Sequence, residues 1–165
     1  MDHEIYILIV EDELEVMDAI VNDLSEFEDH FPIETANTAE EAQSVVDQIY
    51  HANNEVGLIL CDHVLPGKNG VDFLIELQSH DLARNSKKVL VTGQAGLEDT
   101  IQAINKARLD HYIAKPWTKE QLDSVVKEQL TNYVIDRKYN PMEFMAILDS
   151  VKLAESMRAN PLTDN

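Results

Sequence analysis

Five short apolar runs recur along this chain, each followed by a segment of helical periodicity, and this alternation restricts the fold more than any other feature. The first run is EIYILIV (4–10), after which Leu14, Met17, Val21 and Leu24 recur at helical spacing. PIETA (32–36) is a short strand candidate. Thr38, with Glu41 three residues on, forms a capping box before a helix carrying Ala42, Val45, Val46 and Ile49 on one face. VGLIL (56–60) is the third strand, and Val71, Leu74 and Leu77 suit a helix after Gly70. KKVLVT (87–92) is the fourth, followed by a helix with Ile101 and Ile104. HYIA (111–114) is the fifth. Thr118 and Gln121 then make a second capping box, with Trp117 placed to staple onto Leu122. The last helix of the series carries Leu122, Val125, Val126, Leu130 and Tyr133. Strands alternating with helices predict an α/β domain, a doubly wound parallel sheet covered on both faces. Such sheets bind ligands outside the carboxyl ends of their strands.

The chain's 165 residues, 44% of them apolar, suit one soluble domain with room for an appendage. Its formal net charge is −18, and the first 135 residues carry −17 of it, nine basic against twenty-six acidic. Such a surface repels phosphate backbones, so direct nucleic-acid binding is not expected. No apolar run approaches the ~20 residues of a membrane span. The acidic start, MDHEIYILIVEDE, lacks the basic region of a signal peptide. A single cysteine, Cys61, precludes an internal disulfide and fits a reducing, cytoplasmic setting; it reads as a small buried apolar residue. The six histidines show no metal-ligand spacing, and His63 reads as a loop residue.

The chemistry sits where the strands end. Singly, Glu11-Asp12 reads as a solvated N-terminal turn, Asp62 as a cap, Thr92 as a strand end and Lys115-Pro116 as an ordinary turn. Together they lie at the carboxyl ends of the first, third, fourth and fifth predicted strands, so a parallel sheet gathers them on one edge. Three converging carboxylates repel one another unless a cation intervenes, and Mg²⁺ suits carboxylates, a backbone carbonyl and waters. A lysine and a hydroxyl opposite complete a site for a phosphoryl group, and a carboxylate is itself a competent nucleophile. The implied reaction is phosphoryl transfer onto an aspartate.

On Glu11-Asp12, Asp62 followed by LPGKNG, Thr92 in VLVTG, Tyr112 and Lys115-Pro116, residues 3–133 resemble a receiver domain of two-component response regulators. The resemblance implies a chemotaxis-regulator-like, flavodoxin-like (βα)5 fold with strand order 2-1-3-4-5. It implies Asp62 as phosphoacceptor and Mg²⁺ held by Glu11, Asp12, Asp62 and the Val64 backbone carbonyl. Lys115 would pair with the phosphoryl group, Thr92 would move to hydrogen-bond it, and Tyr112 would swing inward as Thr92 moves. A sensor histidine kinase or phosphotransfer protein would supply the phosphoryl group. Output would pass by protein contact through the face of the fourth predicted helix, fifth strand and fifth helix, in a bacterial cytoplasm, with no membrane involved. The domain would assist its own phosphorylation and dephosphorylation without being an enzyme in the ordinary sense. Val64 and Gln94 fall at positions flanking the acyl phosphate, and Trp117 stands where many receivers have Phe. The KPW ending resembles receivers joined to enzymatic output domains, so a fragment of a longer regulator is the alternative reading. An aspartyl-phosphate phosphatase of the haloacid-dehalogenase type would want an aspartate at position 64, where Val64 stands.

The organisation expected is a receiver over 1–135 and a helical extension over 136–165. Asn140 as N-cap, Pro141 at the first helical position and Glu143 at the third open a predicted helix over 141–157. Its stripe of Phe144, Ile147, Leu148, Val151 and Ala154 needs covering. With the preceding helix expected to run to about Tyr139, the tail is predicted to project from the sheet and to favour a homodimer over packing in cis.

Overall fold

The computed structural model describes residues 3–93, 101 and 104–159. Its sheet has the order β2-β1-β3-β4-β5, all neighbours parallel. The strands are β1 (Ile5–Val10), β2 (Ile33–Ala36), β3 (Glu55–Asp62), β4 (Lys87–Thr92) and β5 (His111–Ala114). Side chains alternate across a strand, so the continuous apolar runs feed two cores. On one face Ile7, Ile9, Leu58, Leu60, Val89 and Val91 meet α1 (Leu14–Asp23) and the long helix Lys119–Asp136. On the other, Leu8, Val10, Ile59, Cys61 and Leu90 meet α2 (Ala39–His51) and α3 (Gly70–Leu77).

The caps form as the sequence predicts, with one variation. Thr118 accepts from the Gln121 amide while the Gln121 side chain accepts from the Thr118 amide, closing the box. Thr38 accepts from the Glu41 amide, but Glu41 returns to the Asn37 amide at 2.6 Å, one residue earlier than a closed box requires. The inward face of α1 is Met17, Ile20 and Leu24; Leu14, the helix's first residue, is 73% exposed. Ile101 and Ile104 are likewise exposed, and Ala107 is the neighbour that reaches the core. The remainder of that predicted helix, with Gln94, lies outside the described residues.

The C-terminal segment departs from expectation. The long helix stops at Asp136, where Lys138 takes a left-handed conformation (φ 62°) and the Lys138 and Tyr139 amides return to Ile135 and Val134. Asn140 caps as predicted, accepting from the Met142 amide, but the element it opens is a 3-10 turn, Pro141–Phe144. A separate terminal helix, Ser150–Ala159, begins where Asp149 accepts from the Lys152 amide. The break rotates the apolar stripe. Phe144, Leu148 and Leu153 join the core on the α1 face, while Val151 is 67% exposed. Phe144 stacks on Phe31 at 5.8 Å, and the Asp149 amide donates to the Thr131 hydroxyl. The tail therefore folds back on its own domain, and the burial argument for a homodimer is answered within one chain.

At the amino end of β3 lies a buried polar node. Glu55, 7% exposed, accepts from the Tyr133 and Tyr139 hydroxyls and lies 2.5 Å from His3 Nε2. Burial alone would raise its pKa; the bonds from Tyr133, Tyr139 and His3 outweigh that and hold it below the ordinary carboxylate range. Next to it, Gly57 is the extra residue of a register shift against β1. A Cβ there would lie 2.5 Å from Ile5 Cγ2 and 3.2 Å from the Tyr133 ring, so a larger residue would displace Ile5 and press on that ring.

Candidate functional site

Strand ends place the site residues. Glu11 follows β1 and is pinned by its amide to the Ala36 carbonyl; Asp62 and Thr92 are the last residues of β3 and β4. Lys115 follows β5, its amide bonded to the Thr92 carbonyl. Glu11, Asp62 and Thr92 are 1%, 5% and 6% exposed, whereas Asp12 is open to solvent. One carboxylate oxygen from each of Glu11, Asp12 and Asp62 lies within 4.8 Å of the others. Lys115 Nζ reaches Glu11 Oε1 at 3.3 Å and Asp62 Oδ2 at 3.4 Å.

The loop after Asp62 is held by backbone geometry. Gly67 sits at φ 77°, a turn that side chains disfavour. The Gly70 amide donates to the His63 carbonyl, and a Cβ on Gly70 would lie 1.9 Å from the Asp62 carbonyl oxygen. No other residue fits between α3 and the strand end that presents Asp62. Asn69 caps α3 by accepting from the Asp72 amide.

The electrostatics are unbalanced: three carboxylates share one lysine. Burial, reinforced by the Asp62 charge, pushes the Glu11 carboxyl above its ordinary range, although the Glu13 amide and Lys115 pull the other way. Burial would lower Lys115, but Asp62 and Glu11 outweigh it and hold the amine protonated. The Cys61 thiol, fully buried, is pushed far above the usual thiol range by burial and by Asp62 and Glu11, which makes it inert.

The site opens into a cleft of about 940 Å³ lined by Asp12, Asp62, Val64, Thr92 and Lys115 among others. Among the described residues singled out for the site, Tyr112 stands apart: it is 52% exposed on the edge strand β5 and lines a separate, smaller cleft. Sequence reasoning missed Glu13 and did not place Trp117 at the cleft. Glu13 places Oε1 3.9 Å from Lys115 and donates its amide to Glu11; its signal was its place directly after the acidic pair. Trp117 forms a cleft wall, its indole N–H donating to Asp23 at 3.4 Å rather than serving only as a staple. A set of hard oxygen donors this close suits a small divalent cation. Among the described residues, no helix is long and apolar enough to cross a membrane.

Comparisons with known proteins agree with this geometry. The family model for the response regulator receiver domain matches residues 7–127. The hydrogenase transcriptional regulatory protein HoxA of Cupriavidus necator is 31% identical over 129 residues, which is 77% of this chain and 24% of that protein. The phosphate regulon transcriptional regulatory protein PhoB of Escherichia coli is 28% identical over 145 residues, 87% of this chain and 56% of that protein. The chain thus spans about a quarter of the first relative and about half of the second. A crystal structure of a CheY-like receiver domain protein from Methanospirillum hungatei superposes with a TM-score of 0.68 at 30% identity, covering 79% of this chain and 96% of that one. With its strand order, its strand-end carboxylates and a family match over most of its length, this chain belongs to the response regulator receiver domain family of two-component signalling.

Proposed function

We propose that Asp62 is the phosphoacceptor of this receiver, and that the observation carrying this is the convergence of Glu11, Asp12 and Lys115 on its buried carboxylate. Glu11, Asp12, Asp62 and the Val64 carbonyl would hold Mg²⁺, which supplies charge neutralisation for an incoming phosphoryl group. An Asp62 oxygen attacks phosphorus in line while the P–N bond of a phosphohistidine donor breaks. The bonding pair leaves with the imidazole nitrogen, which is protonated by solvent, and an aspartyl phosphate remains. Lys115, already protonated and 3.4 Å from Asp62, pairs with a phosphoryl oxygen.

The modification adds about −1.5 to −2 charges. The Thr92 hydroxyl turns to hydrogen-bond the new group, and Tyr112 moves inward from its exposed place on β5. The partners are a sensor histidine kinase or phosphotransfer protein, and an output protein or domain that reads the β5 face in the cytoplasm. Residues 1–135 would form the receiver unit and 136–165 an extension, and the packing of Phe144, Leu148 and Leu153 on the α1-face core supports an extension held close to that unit. The domain assists its own phosphorylation and hydrolysis and acts on no separate substrate. Its relatives are transcriptional regulators with further chain, whereas the acidic surface here favours protein partners over DNA.

Exposure to phosphoramidate with Mg²⁺, followed by intact-mass measurement, tests the assignment. One added phosphoryl group is expected in the wild type and none in Asp62→Asn; equal labelling of the two overturns it.

A further inference from the structure

Lys115 reaches the site from the side of the sheet. Glu11 and Asp12 lead into α1 and Asp62 ends a central strand, but Lys115 sits where the edge strand β5 gives way to a turn. Its amide is bonded to the Thr92 carbonyl, Pro116 has no N–H to offer, and the Thr118 amide is taken by Gln121 inside the capping box. Trp117, within that turn, is half-buried and packs on the core of the α1 face. Its indole N–H donates to Asp23 Oδ2 at 3.4 Å. Asp23 is the last residue of α1, about 14 Å along the axis from Leu14. The same helix starts directly after the acidic pair, where the Glu13 amide donates to Glu11. One helix therefore joins the acidic side of the site at its first turn to the lysine side at its last. Lys119 adds an ion pair to Glu26 at 3.6 Å, but both side chains are half exposed and water screens it.

We propose that Trp117 and Asp23 are positioning residues for Lys115: their hydrogen bond clasps the turn after β5 to the end of α1 and so sets where the Lys115 amine stands relative to the Asp62 oxygens. The inference rests on Asp62 being the phosphoacceptor and adds two residues that act through the lysine. Lys115 Nζ lies 3.3 Å from Glu11, 3.4 Å from Asp62 and 3.9 Å from Glu13, so three acidic side chains compete for one amine. The lysine stem is flexible, and only a fixed base for it favours one of these partners over the others. With the base clasped, the amine stays where an oxygen of a phosphoryl group on Asp62 would meet it. The bond can be removed without the packing. Phenylalanine at 117 keeps an apolar ring in the cleft wall but has no N–H, and leucine at 23 keeps the size of the side chain but has no acceptor.

Labelling of the full chain by phosphoramidate at saturating Mg²⁺, timed by intact mass, tests this. Trp117→Phe and Asp23→Leu are each expected to react about fivefold more slowly than the wild type, the scale of one modest hydrogen bond. The double variant should be no slower than either, because each already breaks the same bond. Asp23→Asn, which keeps an acceptor oxygen, should stay within about twofold of the wild type. Losing a negative charge beside the cleft favours an anionic donor, so a slow Asp23→Leu next to an unimpaired Asp23→Asn identifies the lost acceptor. Melting measured against Mg²⁺ concentration should give Asp23→Leu the wild-type midpoint, since a protonated lysine is no metal ligand. In Lys115→Ala, followed over longer exposure, adding Asp23→Leu should cost less than about twofold. If Lys115→Ala takes no label, the other comparisons decide. Equal rates in the wild type and Asp23→Leu, additive losses in the double variant, or an equal loss in Asp23→Asn overturns the proposal. So does a Mg²⁺ midpoint that weakens in step with the rate, or the full cost persisting in Lys115→Ala. A wild type that takes no label instead overturns the reading of Asp62 on which the proposal rests.

Discussion

The two ends of β3 carry buried carboxylates in opposite circumstances. At the amino end, Glu55 is one acid surrounded by donors: two tyrosine hydroxyls, His3, and Arg137 at 3.9 Å. At the carboxyl end, Asp62 shares one lysine with Glu11, while Asp12 lies alongside. The first arrangement is complete and ties β3 to the chain's start, the long helix and the segment leading to the tail. The second is short of positive charge, so it gains from whatever supplies some. A buried charge saturated with hydrogen bonds holds structure in place; one left short of partners is held ready for chemistry.

Removing the saturated end should have the larger effect. Glu55→Ala strands the Tyr133 and Tyr139 hydroxyls, and hydrogen bonds to a charged group contribute about 1.5–3 kcal/mol each without adding fully. We expect a loss of about 3 kcal/mol in urea unfolding; a change under about 0.5 kcal/mol would mean the node is ornamental. Relieving the short-handed end should do the reverse. Asp62→Asn is expected to raise stability by about 1 kcal/mol in metal-free buffer, because one of the mutually repelling carboxylates is gone. Mg²⁺ at tenfold over its dissociation constant should stabilise the wild type by about 1.4 kcal/mol and the variant by less. A wild type whose melting ignores Mg²⁺ would break the comparison at this end.

The smallest and sharpest difference is in pH dependence. Glu55 is depressed in the fold, so its contribution is present above the unfolded glutamate pKa, about 4.3, and is lost as pH falls through the lower folded value. Glu11 is raised, so its contribution is present below the unfolded value and lost as pH rises through the higher folded one. In metal-free buffer, therefore, Glu55→Ala should approach wild-type stability on acidification. Glu11→Gln should gain on the wild type as pH rises through the carboxylate range. Parallel curves for the two variants would show that the ends do not differ as described.

The site was legible because its residues are tied to strand ends. Once the runs before Glu11, Asp62, Thr92 and Lys115 are read as parallel strands, topology alone brings the four together. Glu55 was not legible: its partners come from positions 3, 133 and 139, and no local pattern links them. The tail was half legible. Asn140 announced a start, but Asp149 was read as part of a continuing helix when it caps a new one. A period carried through that break assigned Val151 to the interior and overlooked Leu153. Leu14 was misplaced for a similar reason: it is the first residue of α1, exposed before the helix has turned its apolar face to the sheet.

The cis tail also bears on how the chain is made. Among the described residues, the core on the α2 and α3 face draws on nothing beyond Leu109, whereas the core on the α1 face is completed by Phe144, Leu148 and Leu153. A chain emerging from the ribosome amino end first can seal one side of its sheet well before the other. Until residue 153 is out, Phe31 and the inner surface of the long helix lack their cover, and the nascent protein is sticky on that side alone. The order of synthesis thus confines the period of aggregation risk to one flank and ends it with the arrival of the last helix.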